Sequence, residues 1–227
     1  MINLEEINNN LDSKGYHFFD DIRDSVNVDE IAELIRNEMN EKSFKENSEG
    51  HQKLLKRIPY YSKLKDFLYE KAKRDFNFKG INSEYLVSRK VNPGNVKEKY
   101  RAHFDSHLFT LVVPLKIPDS GTSCGELIYV PNLRKNPSSE LSNLLTKVYY
   151  KRYASKEGIE NLAKIKKVHE NNFKDYKPIL FRGNTFLHTN KGVSNDASSY
   201  RLTCLSHFYD PYENYGIGKV LRMFRKR

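Results

Sequence analysis

Residues 100–115 read YRAHFDSHLFTLVVPL, and the second half of this stretch decides the class of fold. The apolar run from Leu108 to Leu115 has the length of a buried strand. It is far shorter than the roughly 20 residues that cross a bilayer. Just before it, His103 and Asp105 lie two positions apart. Because strand side chains at this spacing share a face, both are predicted to point to the same side.

Short β-rich runs continue on both sides of this stretch and are separated by turn residues such as Asn92-Pro93-Gly94. Several short strands with turns between them indicate an antiparallel sandwich or barrel. The predicted strands are Tyr85–Val91, Leu108–Leu115, Glu126–Val130, Ile179–Phe181, Thr185–His188 and Arg201–Tyr209.

The rest of the chain has helical periodicity. Helices are predicted over 3–14, 28–41 and 62–75, with a short strand at 15–19, and their apolar stripes indicate core packing. A lysine-rich segment at about 136–175 is predicted to be a helical insertion between strands, which can serve as a lid. We therefore predict one domain over 1–227. Its parts are helical support (1–80), a β core with the insertion (81–210) and a basic tail (211–227).

The composition favours a folded protein of moderate size. The 227 residues are 38% hydrophobic and 30% charged, a balance that argues against disorder throughout the chain. The first residues lack a basic stretch followed by an apolar run, so we expect no secretory signal. Cys124 and Cys204 have no metal-binding spacing and are expected to be reduced, buried thiols. These features favour a cytoplasmic protein.

The net charge of +10 favours an anionic partner. The basic residues are dispersed along the chain, however, which is typical of a solvated surface and weighs against specific nucleic-acid binding. In the tail, residues 219–227 mix apolar and basic side chains. Such a segment can contact an anionic membrane surface or dock as a C-terminal helix with a basic rim, and the sequence leaves both open.

A third candidate ligand comes from a distant part of the chain. His188 follows a turn in a predicted strand and can join His103 and Asp105 inside a barrel. Two imidazoles and one carboxylate on one face of a metal leave open positions, the arrangement of non-haem Fe(II) oxygenases. Since His-x-Asp pairs arise often by chance, the alternative is a partly exposed pair near a strand end.

Arg201 and Thr203 provide a second, independent feature. They share a strand face, where a guanidinium can grip a carboxylate bidentately and a hydroxyl can add a hydrogen bond. Such a pair suits the distal carboxylate of a keto-diacid whose other end chelates a metal.

In order and spacing, His103-x-Asp105, His188 and Arg201-x-Thr203 resemble the motifs of the Fe(II)/2-oxoglutarate-dependent dioxygenase superfamily. The glycine turn at 92–94 and Tyr100, three residues before the first histidine, resemble prolyl-hydroxylase-like members. Residues 11–16 resemble the opening of phytanoyl-CoA-hydroxylase-like members.

The resemblance implies an α+β, mainly β fold with a double-stranded β-helix core (jelly-roll or cupin-like). It implies catalytic Fe(II) on His103, Asp105 and His188, with 2-oxoglutarate and O2 as co-substrates and succinate and CO2 as products. Arg201, Thr203 and Tyr100 are then the expected 2-oxoglutarate contacts.

The chain departs from this pattern in two places. Prolyl hydroxylases generally have a lysine where Arg201 stands, and the nucleic-acid demethylase branch has a second arginine where His207 stands. The second difference weighs against DNA or RNA repair. Halogenating members lack the carboxylate that Asp105 supplies, so hydroxylation, desaturation or ring closure is favoured.

Several alternatives stay open. His107 is either a competing ligand or a residue on the substrate side, and His207 lines the pocket or packs in the core. The insertion and the N-terminal helices, both rich in lysine, are expected to shape the substrate pocket. They favour an anionic small molecule or conjugate as substrate, with a protein side chain as the second choice. A non-catalytic β-helix binding module and a zinc hydrolase are the other classes; the hydrolase leaves Arg201 and Thr203 without a role.

Overall fold

The computed structural model describes residues 2–95 and 99–212. The helices are α1 (Leu4–Ser13), α2 (Val28–Met39), α3 (Glu49–Arg57), α4 (Tyr61–Phe76), α5 (Glu140–Tyr150) and α6 (Lys156–Ala163). The strands are β1 (Tyr16–Phe18), β2 (Phe44–Glu46), β3 (Glu84–Val91), β4 (Phe109–Lys116), β5 (Leu127–Val130), β6 (His169–Asn171), β7 (Ile179–Phe181), β8 (Leu187–Asn190) and β9 (Arg201–Phe208). The tail at 219–227, for which the sequence leaves a membrane contact and a docked helix open, lies outside the described residues.

The strands form two antiparallel sheets. The larger sheet has six strands in the order β1-β7-β4-β9-β3-β2, and the smaller has three in the order β6-β5-β8. The long strand β9 lies between β3 and β4 and pairs with both along its length. The antiparallel sandwich predicted from the strand pattern is thereby confirmed.

The period-two alternation of strand side chains divides the larger sheet into two faces. On β4, Leu111, Val113 and Leu115 pack with the N-terminal helices. Between them, Val112 points into the space between the sheets, where it packs with Phe181 and other apolar residues of β5 and β7. Because β4 is buried on both faces, its sequence is an almost unbroken apolar run.

Helices α1 to α4 cover the outer face of the larger sheet. Three of them begin at capping residues, since Asn3, Asn27 and Ser48 accept hydrogen bonds from the backbone N–H groups of the first turns of α1, α2 and α3. Ile31 and Ile35 of α2 and Leu64 and Leu68 of α4 are fully buried in the resulting core. The helical layer therefore buries the outer face of the larger sheet.

Helix α6 covers the outer face of the smaller sheet. Its Ile159 and Leu162 pack on Ile128, Val130 and residues around the candidate metal ligands. Helix α5 leaves Leu141, Leu145 and Val148 exposed to solvent. Among the described residues, no helix combines the length and apolar character that crossing a bilayer requires.

Three elements were not predicted from the sequence. Helix α3 has only nine residues, with Lys53, Lys56 and Arg57 among them, so its charges obscured the short buried face of Leu54 and Leu55. Strands β2 and β6 have three residues each, too few to show an alternation.

Candidate metal centre

A small cavity lies between the two sheets, with a volume of about 140 Å³. Its polar walls come from alternate positions of β3, β8 and β9, because these positions point inward. The residues that line it are Val87, Arg89, His103, Asp105, Val112, Leu127, Phe173, His188, Asn190, Arg201, Thr203, Leu205 and His207.

His103, Asp105 and His188 meet at one end of this cavity. Each side chain has one possible ligand atom that lies within 4.8 Å of those of the other two. Asp105 Oδ1 is 3.6 Å from His103 Nε2 and 3.8 Å from His188 Nε2. Asp105 and His188 are buried, whereas His103 is half-exposed toward an outer pocket. One side of the candidate centre is therefore accessible.

Backbone pairing sets this geometry. His103 was expected within a strand, and it forms a single antiparallel bridge with His188 of β8 through backbone hydrogen bonds of 3.0 and 3.1 Å. Asp105 lies beyond the bridge, and its N–H donates to the Gly183 carbonyl at 3.0 Å. A Cβ on Gly183 would lie 2.9 Å from Asp105 Cβ, so only glycine lets the two segments approach this closely.

Both imidazoles direct Nε2 toward the same point beside Asp105 Oδ1. His103 Nδ1 lies 2.7 Å from the Arg101 carbonyl oxygen, and His188 Nδ1 lies 3.2 Å from that of Phe186. A carbonyl can only accept, so Nδ1 carries the proton in each ring and Nε2 keeps its lone pair for a metal.

The protonation states also suit a divalent cation. Burial lowers the pKa of His188 to about 4, in spite of the nearby Asp105 carboxylate. For Asp105, burial raises the pKa, but the nearby imidazoles of His188, His207 and His103 outweigh it and hold the pKa well below its usual value. At neutral pH the site therefore holds a neutral His188 and an anionic Asp105, as metal binding requires.

Thr110 and His207 hold the other carboxylate oxygen. Thr110 Oγ1 donates to Asp105 Oδ2 at 2.6 Å, and His207 Nδ1 is 3.5 Å from the same oxygen. His107 does not line this cavity; its ring stacks on His207 at 5.0 Å and on Tyr85 at 6.1 Å. Of the two interpretations of His207, the structure favours the pocket.

Arg201 and Thr203 line the same cavity from β9 and are buried. Arg201 Nη1 donates to the Asn190 side-chain oxygen at 2.8 Å and to the Gly125 carbonyl. Both acceptors are neutral, and the guanidinium forms part of the cavity wall, where it can bind an incoming carboxylate bidentately.

Tyr100 is not brought to this cavity. It lines a different one, near Lys99 and Lys191, on the outer side of the smaller sheet. The expected contact between Tyr100 and 2-oxoglutarate therefore has no support in the geometry. The spacing of three residues before His103 identified the position, but the chain turns away there, with a left-handed Tyr100 at φ 52°.

A wider pocket of about 600 Å³ opens beside His103 and shares Arg89 and Asn190 with the inner cavity. Among the described residues, the charged side chains that line it are all basic: Arg89, Arg101, Lys147 and Lys151. Lys147 and Lys151 come from α5 and the turn after it, so the insertion forms part of this pocket.

Sequence reasoning missed several residues of the site. Thr110, Asn190 and Arg89 were not singled out, although each stands on an inward position of a strand that was at least partly predicted. Counting two positions on from His188 would have found Asn190, whereas Arg89 lies opposite Thr203 on the neighbouring strand, a pairing that only the structure shows.

The fold is shared with several solved structures. A prolyl-4-hydroxylase from Pseudomonas putida superposes with a TM-score of 0.55 at 12% identity, covering 91% of this chain and 98% of that one. A prolyl hydroxylase from Trichoplax adhaerens, in complex with a peptide fragment of a hypoxia inducible factor oxygen degradation domain, gives 0.55 at 14% over 92% and 90%. The epimerase SnoN with Fe3+, alpha ketoglutarate and nogalamycin RO gives 0.55 at 13% over 91% and 83%.

No protein-family profile matches the sequence, and no curated protein matches it. At identities this low, the structural likeness establishes the fold. The core is a double-stranded β-helix, as the sequence resemblance implied.

Proposed function

We propose that the protein is an Fe(II)- and 2-oxoglutarate-dependent dioxygenase with His103, Asp105 and His188 as the metal ligands. One observation carries the proposal. The three ligand atoms converge at one end of a buried cavity that Arg201 and Thr203 line from the same strand face. The structural neighbours support it, since the SnoN structure holds Fe3+ and alpha ketoglutarate on the same fold.

Each group of residues at the site has a distinct role in the proposed reaction. When bound, Fe(II) with 2-oxoglutarate and O2 supplies oxidation of an unreactive C–H bond, with release of succinate and CO2. Arg201 and Thr203 hold the distal carboxylate of 2-oxoglutarate, and Asp105 and the two histidines hold the metal. The apolar walls Val112, Leu127, Phe173 and Leu205 exclude water from the reacting atoms.

The wider pocket is the proposed substrate site. Its wall reaches His103, so a bound molecule lies beside the metal position, and the four charged residues that the structure describes in its lining are all cations. A low-dielectric pocket lined by one sign of charge concentrates ligands of the opposite sign. The substrate that this pocket suits is an anionic small molecule or conjugate, hydroxylated or otherwise oxidised near the anionic group.

The central test is an anaerobic titration with Fe(II) and 2-oxoglutarate, monitored by the visible metal-to-ligand charge-transfer band. The wild type should show the band, His188→Ala should lose it, and Arg201→Ala should require at least roughly tenfold more 2-oxoglutarate. His17→Ala, which removes a histidine outside the site, is the matched control and should behave as wild type.

Absence of the band in folded wild-type protein would contradict the oxygenase and favour a binding module. A band together with failure of N-oxalylglycine to compete with 2-oxoglutarate would contradict the proposed co-substrate site.

The substrate class has its own test. Anionic compounds should stimulate succinate release above the rate without substrate, and neutral analogues should not. Lys151→Ala and Arg101→Ala should lose the stimulation but keep the slow turnover of 2-oxoglutarate alone, because neither residue lines the inner cavity. Equal stimulation by neutral analogues would contradict an anionic substrate.

A further inference from the structure

Helix α5 presents its apolar residues to solvent. Leu141, Leu144, Leu145 and Val148 stand at the i, i+3, i+4 and i+7 positions of one helical face. Leu145 is 60% exposed and Val148 is 63% exposed, and Tyr149 extends the same face. A helix on a globular core normally buries such a stripe. Helix α5 instead turns its apolar face to solvent.

Polar contacts fix the helix in this orientation. On the opposite face, Asn143 accepts a hydrogen bond from Arg134 at 2.8 Å, and Lys147 donates to Ser106 at 3.0 Å. Tyr150 packs edge-on against Phe104, the residue between the first two candidate ligands, at 5.2 Å. The apolar stripe is therefore held outward by contacts on the inner side.

The stripe belongs to a strongly basic segment of the chain. The segment 135–167 contains eight lysines and arginines and three glutamates, so it carries half of the net charge of the whole chain. Seven of these cations are exposed: Lys135, Lys151, Arg152, Lys156, Lys164, Lys166 and Lys167. The Arg152 guanidinium lies 3.8 Å from the centre of the Tyr149 ring, and Ile165 is exposed between two lysines.

We propose that this face of α5 docks on an anionic membrane surface. Exposed apolar side chains on one helical face, rimmed by lysine and arginine, bind at the lipid interface by burying the apolar stripe while the cations contact anionic headgroups. A second copy of the chain fits less well, because a symmetric contact would bring two strongly positive segments together.

The proposed docking also determines where the basic pocket lies relative to the membrane. Lys147, Tyr150 and Lys151, on the inner side and at the end of the same helix, line that pocket beside His103. Docking through α5 would place the entrance of the pocket near the headgroup layer, where anionic amphiphiles are concentrated. The docking surface and the candidate metal centre share no residue, so each can be tested without the other.

The test is sedimentation with vesicles of phosphatidylcholine and phosphatidylglycerol in a roughly 2:1 ratio, compared with pure phosphatidylcholine. The full-length wild type should bind the anionic vesicles only. Leu145→Glu with Val148→Glu should weaken binding on the order of tenfold or more, because two buried apolar contacts become charged. Phe44→Glu with Ile81→Glu is the matched control, since both residues are exposed and lie outside α5; it should bind nearly as wild type.

Three outcomes would overturn the proposal. The first is absence of binding to anionic vesicles by wild-type protein. The second is equal loss in the two double variants, or undiminished binding of the α5 variant, which would assign binding to general charge or to another segment. The third is a wild-type dimer in sedimentation equilibrium without lipid that the α5 variant loses, which would identify a second copy as the partner. Anaerobic 2-oxoglutarate binding should be unchanged in all variants.

Discussion

The two oxygens of Asp105 have different surroundings. Oδ2 accepts the hydrogen bond from Thr110 at 2.6 Å, while Oδ1 faces His103 and His188. The carboxylate is therefore oriented before any metal binds. Its Oδ2 is hydrogen-bonded within the protein, and its Oδ1 is directed at the point that both histidines also face. Partners of this kind fix a ligand's geometry and tune its basicity.

Thr110→Val should test this role, because valine keeps the shape and removes the donor. We expect Fe(II) affinity, measured by anaerobic calorimetry, to fall roughly tenfold or more. Thr189→Val is the control: Thr189 is also buried and adjacent to His188, but its hydroxyl has no hydrogen-bond partner within the described residues. Equal affinity of both variants would show that Thr110 does not position the carboxylate.

Gly125 determines how closely the chain approaches Arg201. It has a φ of +82°, and an added Cβ would lie 3.0 Å from Arg201 Cδ and 3.2 Å from Nη1. Its carbonyl also accepts a hydrogen bond from the same guanidinium. Any side chain here would strain the backbone and displace Arg201.

Gly125→Ala should therefore weaken 2-oxoglutarate binding more than metal binding. Strain of about 1–3 kcal/mol at this position corresponds to roughly a 5- to 150-fold rise in the Kd for 2-oxoglutarate if it falls on the bound state. Gly192→Ala is the control, because the nearest atoms belong to the flexible Lys99 side chain at 3.3 Å. Unchanged 2-oxoglutarate affinity in Gly125→Ala would contradict the positioning of Arg201 by this turn.

At the level of elements, α3 joins the larger sheet through a buried histidine. His51 is completely buried, and its Nε2 lies 3.3 Å from Ser206 Oγ on β9. Burial, with a smaller contribution from His207, lowers the pKa of His51 from 6.5 to about 3. The folded protein thus keeps this ring neutral where an unfolded chain would protonate it.

This shift makes stability depend on pH in one direction. Above about pH 6.5 both states are neutral at His51 and it contributes no pH dependence. As the pH falls from about 6.5 toward 3, only the unfolded state takes up the proton, so the free energy of unfolding falls by about 1.4 kcal/mol per pH unit from this group. His188 contributes in the same direction while no metal is bound.

Urea unfolding at several pH values would isolate His51. In His51→Gln the free energy of unfolding should fall less steeply between about pH 6 and pH 4 than in wild type, because His188 is present in both and cancels. Parallel slopes for the two proteins would contradict a neutral, buried His51.

At the level of the molecule, the candidate centre connects the two sheets. His188 belongs to the smaller sheet, Arg201 and Thr203 belong to the larger, and His103 and Asp105 lie on the segment between β3 and β4. A ligand that spans the cavity contacts all three parts and binds the folded state only. Binding should therefore raise the stability of the whole fold.

Anaerobic thermal unfolding would measure this coupling. At Fe(II) and 2-oxoglutarate concentrations near a hundred times their Kd, stabilisation of about 2.7 kcal/mol per site raises Tm by roughly 5–10 °C for a chain of this size. His188→Ala should show little of this increase. A full increase in that variant would show that the ligands stabilise the protein elsewhere.

Local sequence determined the long strands and the candidate ligands of this protein. The period-two pattern defined the long strands, and the apolar run Leu108–Leu115 identified the central, doubly buried β4. Spacing and side-chain chemistry indicated His103, Asp105, His188, Arg201 and Thr203 as candidate ligands, and all five line one cavity. These features depend on spacing along the chain and on side-chain type, which a sequence displays directly.

Only the tertiary structure decided the remaining features. It brought Thr110 to Asp105 and Asn190 to Arg201, and it turned Tyr100 away from the cavity, because these depend on how strands pair across the sandwich. It also placed the apolar stripe of α5 on the outside, although the same periodicity on α2 is buried. Periodicity fixes which residues share a helical face, but the direction of that face is set by its partners in space, here the hydrogen bonds of Arg134 and Lys147.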